Sequence, residues 1–356
     1  MTTCDRARLA SILGGVVLLS CSSPTSSPLD LAGMDVAADG AADRLRRDAS
    51  VGDRGGAARE AGREATSLAL PEQAGPFPVG TLDDSYTSGS WGKYTLTLYY
   101  PATSPGANTP FDPKGAPYPA VVFAHGLLGN KSANTWVGKH LASRGYICLL
   151  LGVPTPSSID VAQWTDGITA AIDYLAARSA PGEKLAGLLD SARIGAAGHS
   201  MGANATILAT AKDSRIKAAV PLAFGSAPFA GASIKVPVQV HSASLDGICA
   251  PALSTALYAA LGAPKQILEI AGGNHIGWLD GGLVYQAAQA MIAQGLLSDK
   301  QAKISRDEQE RLSRRYLTSW FGYYLKKDSA YLPFLFGAEA ASDRATGKLS
   351  ILESAQ

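Results

Sequence analysis

The chain has 356 residues, 31 basic against 30 acidic side chains and a formal net charge of +1, a balance that gives no electrostatic footprint for nucleic acid or a strongly charged ligand. Its length and 46% hydrophobic content allow one large or two ordinary domains with a sizeable core. The cysteines and histidines show no spacing of a metal site, and no cofactor is expected.

Arg6 and Arg8 precede an apolar run from Leu9 to Leu19, too short to span a bilayer and suited to the core of a secretion signal. The run ends in Leu18-Leu19-Ser20-Cys21, which resembles the lipobox of bacterial lipoproteins. That resemblance implies a signal peptide over residues 1–20 and a lipidated Cys21 as the first mature residue; Ser22 implies the outer membrane of the cell envelope. Two or more acyl chains would make a stable membrane anchor. The alternative is ordinary secretion with an incidental cysteine. Residues 21–74 contain no aromatic side chain and few large aliphatics, too little apolar surface to offset the entropy of ordering, so a flexible tether is expected.

From Gly75 the pattern changes. Apolar runs predict strands at 94–100, 120–124, 146–151, 193–197, 218–223, 236–241 and 266–270, and Val161, Trp164, Ile168, Ile172 and Leu175 recur at helical spacing between them. Alternating strands and helices predict an α/β fold, a mostly parallel sheet with helices on both faces. A single catalytic domain is expected over residues 75–340, followed by a tail over 341–356. Cys148 falls in a predicted strand and Cys249 in a predicted loop. An oxidising compartment permits a disulfide between them, and a lone buried cysteine acting as a small hydrophobe is the other reading.

Gly198-His199-Ser200-Met201-Gly202 has the form G-x-S-x-G, which a chain with 38 glycines produces readily by chance. Context decides: a predicted strand ends just before it and the alanine-rich stretch 203–211 reads as a helix after it. A serine on such a strand-to-helix turn is the nucleophile position of α/β-hydrolases, whose chain order is nucleophile, acid, histidine. Asp246 follows the strand at 236–241, where parallel sheets place catalytic loops, and Asp280 is its substitute. Of the five histidines, His275 alone follows Asp246. His125, His199 and His241 are expected to be structural. The backbone N–H groups of Met201 and of Leu127, in the loop after the strand at 120–124, are the expected oxyanion donors.

"GPF" at 75–77, "LYYP" at 98–101, "WVGKHLASRGY" at 136–146, "GHSMG", "AAVPL" at 218–222 and "YLTSWFGYYLKKDSAYLPFL" at 316–335 together resemble bacterial cutinases and polyester hydrolases, relatives of dienelactone hydrolases. The resemblance spans about residues 75–337. It implies a serine carboxylic-ester hydrolase working through an acyl-enzyme, with Ser200, Asp246 and His275 as triad and a small or polymeric ester as substrate. A lipase, thioesterase or amide hydrolase could use the same triad, and a silent binding domain could keep the fold. Three features depart from the family: Leu127 stands where an aromatic residue is usual, Phe224 lies near an expected tryptophan, and about thirty extra residues follow His275. Leu127 and Phe224 are the candidate pocket residues. The insertion, from Gly277 to about Asp307, carries an apolar stripe at Val284, Ala287, Ala288, Met291 and Ile292, readable as a lid or as a helix packed at the domain edge.

Overall fold

The computed structural model describes residues 70–226, 233–262 and 264–356; the expected signal peptide, Cys21 and nearly all of the expected tether lie outside the described residues. In chain order the regular elements are β1 (Val79–Ser88), β2 (Gly92–Pro101), β3 (Gly106–Ala107), β4 (Tyr118–Ala124), α1 (Thr135–Ser143), β5 (Ile147–Gly152), α2 (Val161–Arg178), β6 (Leu189–His199) and α3 (Met201–Lys212). They continue as β7 (Ile216–Leu222), β8 (Val238–Ala243), α4 (Pro251–Ala260), β9 (Lys265–Ile270), α5 (Leu283–Ala293), α6 (Arg306–Tyr324), α7 (Leu332–Leu335), α8 (Ala338–Ala345) and β10 (Leu349–Ala355). Every strand expected from the sequence is present, with ends shifted by a few residues.

The strands form one sheet in the order β10-β9-β8-β7-β6-β4-β5-β2-β1-β3. From β5 through β4, β6, β7 and β8 to β9 the pairings are parallel, while β2 joins β5, and β10 joins β9, antiparallel. This is the α/β-hydrolase arrangement.

The period-two geometry of a strand explains why both faces are apolar. Val121 and Phe123 of β4 and Cys148 and Leu150 of β5 pack with Trp136 and Leu141 of α1 and with Leu317, Trp320 and Phe321 of α6. Their neighbours Ala120, Val122, Ile147 and Leu149 point the other way, onto Trp164, Ile168 and Ile172 of α2 and Ala205 and Ala209 of α3. The stripe read at 161–175 is therefore the buried face of α2, and Asp160 caps that helix by accepting from Ala162 N at 2.9 Å.

Two domain boundaries are corrected. Residues 341–356 are not a tail: α8 and β10 extend the fold, and β10 pairs with β9 from Leu349 to Ala355. As an edge strand β10 is only partly covered, so its alternation is weak in the sequence. At the other end, residues 70–74, expected to lie in the tether, belong to the domain, because backbone and charge fix them to it. Arg144 donates to the Gln73 carbonyl at 2.9 Å, His140 Nε2 to that of Pro71 at 3.0 Å, and Glu72 pairs with Arg311 at 2.9 Å and Arg315 at 3.2 Å.

Burial also sets an acid limit on this fold. It depresses His125 to about 4 and His140 and His241 to about 3. Above about pH 6.5 these imidazoles are neutral in both folded and unfolded chains and contribute nothing; below it the unfolded chain takes up protons that the folded one refuses. Each then removes about 1.4 kcal/mol of stability per pH unit until its folded value is reached. Burial lowers His199 as well, so four histidines share this sign, and Glu310, raised by burial to about 7, opposes one of them. His275, whose pKa is raised, is protonated in both states below about pH 6.5 and contributes no slope there. Melting temperature should fall steeply below pH 6 and decline gently as pH rises above 7, where only the folded chain holds the His275 proton; a Tm unchanged to pH 4.5 would contradict this assignment.

Candidate active site

Ser200 sits between β6 and α3 at φ 58° and ψ −117°, a left-handed backbone that a non-glycine residue adopts only when its surroundings enforce it. The surroundings are the two flanking glycines. A Cβ on Gly198 would lie 2.4 Å from the Gly202 carbonyl oxygen, and one on Gly202 would lie 2.0 Å from that of Ala124. The turn is held by Ser200 N donating to the Leu222 carbonyl at 2.9 Å, and by the Ser200 carbonyl accepting from Ala203 and Asn204. The G-x-S-x-G match is thus a strained elbow at the C-terminal end of a central parallel strand.

The loop after β4 passes directly over this serine. A Cβ on Gly126 would stand 3.1 Å from the Ser200 Cβ. In that loop Leu128 N donates to Pro156 and Gly129 N to Gly126, leaving Leu127 N without a partner among the described residues. Met201 opens α3, where a first-turn N–H has no intrahelical acceptor. His125 is structural, as expected: its Nδ1 donates to the Gly126 carbonyl at 2.6 Å, its Nε2 accepts from Val153 N at 3.3 Å, and burial lowers its pKa.

Asp246 and His275 come from the loops after β8 and β9 and meet at 2.8 Å through Asp246 Oδ2 and His275 Nδ1. Asp246 is 2% exposed and His275 5%. The other carboxylate oxygen of Asp246 accepts from Ile248 N at 2.9 Å and Cys249 N at 2.7 Å, which fixes its orientation. Nδ1 therefore carries the proton and Nε2 has a free lone pair. Burial opposes a charged imidazole, but the Asp246 carboxylate outweighs it and holds the His275 pKa well above the ordinary histidine value. Asp280, the substitute acid, is occupied elsewhere: its carboxylate accepts from Thr135 N at 2.9 Å and Trp136 N at 3.3 Å and caps α1.

The elbow and the histidine loop are joined by a histidine that, as expected, is structural. His199 Nε2 donates to the His275 carbonyl at 3.1 Å and its ring lies 4.7 Å from that of His275. Burial keeps His199 neutral, so it acts as a fixed neutral donor that orients the loop. Its place beside Ser200 was the only sequence signal. Cys148 and Cys249 are both free thiols; Cys148 is a buried hydrophobe of β5, while the Cys249 thiol faces His275.

Phe224 is corrected. It is 2% exposed and packs with Ile207, Val238, Val240 and Leu257, in the core and not on a pocket wall. Leu222 and Phe224 would share a face if β7 continued, but Ala223 has φ 55°. That turn sends Phe224 to the face of the sheet opposite Leu222. Leu127 remains half-buried beside the serine. In the insertion, α5 forms where the apolar stripe was read, yet Val284 is 75% exposed and Ile292 is the buried member.

The sequence matches a family model described as PET hydrolase-like over residues 55–350. It is 30% identical over 223 residues to Cutinase 2 of Thermobifida cellulosilytica, covering 61% of this chain and 78% of that protein. The same identity and length relate it to Cutinase cut1 of Thermobifida fusca, of which 64% is covered. A bis(hydroxyethyl) terephthalate hydrolase of Streptomyces coelicolor is 31% identical over 199 residues, covering 55% of this chain and 58% of that protein.

Proposed function

The chain belongs to the PET hydrolase-like family, and we propose that this carboxylic ester hydrolase works as a serine esterase with Ser200 as nucleophile, His275 as general base and Asp246 as its buried partner. The observation that carries the reading is the 2.8 Å contact of His275 Nδ1 with Asp246, next to a serine on a strained elbow. With the proton on Nδ1, Nε2 accepts the Ser200 hydroxyl proton as Oγ attacks the ester carbonyl. Asp246 stabilises the imidazolium so formed without taking its proton. Negative charge then grows on the carbonyl oxygen, where the N–H groups of Leu127 and Met201 receive it; one such donor contributes about 100- to 1000-fold. The imidazolium protonates the departing alcohol, leaving an acyl group on Ser200. Water, activated by the same Nε2, releases the acid.

Relatives named as cutinases and as a bis(hydroxyethyl) terephthalate hydrolase direct the substrate proposal to aliphatic esters and small aromatic diesters, with Leu127 as one wall of the pocket. Hydrolysis of nitrophenyl esters from acetate to laurate, and of bis(hydroxyethyl) terephthalate, tests it. Turnover is expected, with kcat/KM falling as pH drops through the raised pKa of His275, because protonated Nε2 cannot accept the serine proton. The midpoint should lie above the ordinary histidine value of about 6.5. A rate flat down to about pH 4, or no turnover of any ester, would overturn the reading.

A further inference from the structure

The insertion after His275 delivers one buried carboxylate to the back of the Asp246–His275 pair. Asp299 is 5% exposed while Ser298 and Lys300 beside it are exposed. Its Oδ1 accepts from Gly247 N at 3.0 Å, His275 N at 3.2 Å and Lys300 N at 3.0 Å, and its Oδ2 accepts from Ile276 N at 3.1 Å. Gly247 directly follows the acid, and His275 and Ile276 are the base and its neighbour. One side chain thus ties the loop after β8 to the loop after β9. Gly247 is what lets the insertion come so near: a Cβ there would lie 2.1 Å from the Ser298 carbonyl oxygen. A second tie, Asn274 Nδ2 donating to the Lys300 carbonyl at 2.7 Å, seats the same segment from the histidine side.

We propose that Asp299 is a positioning residue of the hydrolase site: through its three bonds to the backbone N–H groups of Gly247, His275 and Ile276 it holds the acid-bearing and histidine-bearing loops in mutual register, so that the insertion completes the site from behind. The inference rests on the reading of Asp246 and His275 as acid and base. Past the last strand pair, Ala243 and Ile270, the two loops share bonds only at their bases, from Ser244 N to the Ile270 carbonyl, Leu245 N to the Gly273 carbonyl and Gly272 N to Ser244 Oγ. Asp299 adds the ties at Gly247, His275 and Ile276, level with the two side chains. Displacement of a catalytic group by about 1 Å costs on the order of 100-fold in rate. The charge also acts on His275, which faces Asp246 and Cys249 from the β8 loop, His199 from the elbow and Asp299 from the insertion. Removing one negative charge destabilises the imidazolium and lowers its pKa.

The test is Asp299→Asn in the full chain. Three N–H donors on Oδ1 fix the amide oxygen there, which turns the NH2 against the Ile276 N–H. We expect kcat for nitrophenyl butyrate to fall about 10- to 100-fold with KM changed less than about threefold, and the acid limb of kcat/KM to move to lower pH. The downfield Nδ1–H proton resonance of His275 should shift or broaden. A role confined to folding would lower Tm and leave kcat, the acid limb and that resonance unmoved well below Tm; this result would overturn the proposal. Should the variant not fold, amide exchange in the unmodified protein decides: Gly247, His275 and Ile276 are expected to be protected, and fast exchange at these three would refute the tie. Failure of the esterase reading looks different, since then the unmodified protein would not turn over esters at all.

Discussion

Ser200→Ala is expected to lower kcat on a nitrophenyl ester by about a million-fold, with Tm within about 1 °C of the parent. The two halves of this expectation have separate causes. The elbow is built by backbone contacts: Ser200 N to Leu222, Ala203 N and Asn204 N to the Ser200 carbonyl, and the approach of Gly202 to Ala124. None uses the hydroxyl, so alanine inherits the same strained φ and the same fold. Chemistry, by contrast, loses the nucleophile of the proposed mechanism, and what should survive is oxyanion stabilisation of attack by water, about 1000- to 10000-fold over solution. Rates and thermal melts on matched preparations check both halves; a variant retaining even a tenth of parental activity would remove Ser200 from the mechanism.

Asp246→Asn should cost about 10000-fold in kcat while leaving ester binding intact. The argument turns on which way the amide must face. Ile248 N and Cys249 N both donate to Asp246 Oδ1, so the asparagine oxygen stays there and its NH2 takes the place of Oδ2 toward His275. Two donors cannot share that contact; Nδ1 gives up its proton and Nε2 carries it instead. The histidine is then the wrong tautomer to accept the serine proton. Asp280→Asn, at the carboxylate that caps α1, serves as the comparison: it should alter stability and spare kcat. Equal loss of kcat in both variants would mean that Asp246 acts only through folding.

Much of this was legible in the chain because it is written in local pattern. The alternation of Ala120, Val121, Val122 and Phe123 sorts side chains onto two helical layers, and the order Ser200, Asp246, His275 follows from where parallel strands end. Features that depend on contacts between distant segments were not legible. Phe224 was placed by a single positive φ at Ala223. The edge strand β10 hides its alternation because one edge and part of its surface face solvent. Asp299 carries no motif; its meaning comes from N–H groups contributed by residues 23 to 52 positions away. His199, likewise, gains its role from a carbonyl 76 residues distant.

The covalent step is the centre of the account, and rapid acid quench during turnover of a nitrophenyl ester, followed by mass spectrometry of the digested protein, measures it directly. The acyl mass should appear on the peptide carrying Ser200, rise with a burst of nitrophenol, and vanish in Ser200→Ala. Turnover with the acyl group on another residue, or with neither adduct nor burst when hydrolysis of the acyl group has been slowed by a bulky acid, would contradict it.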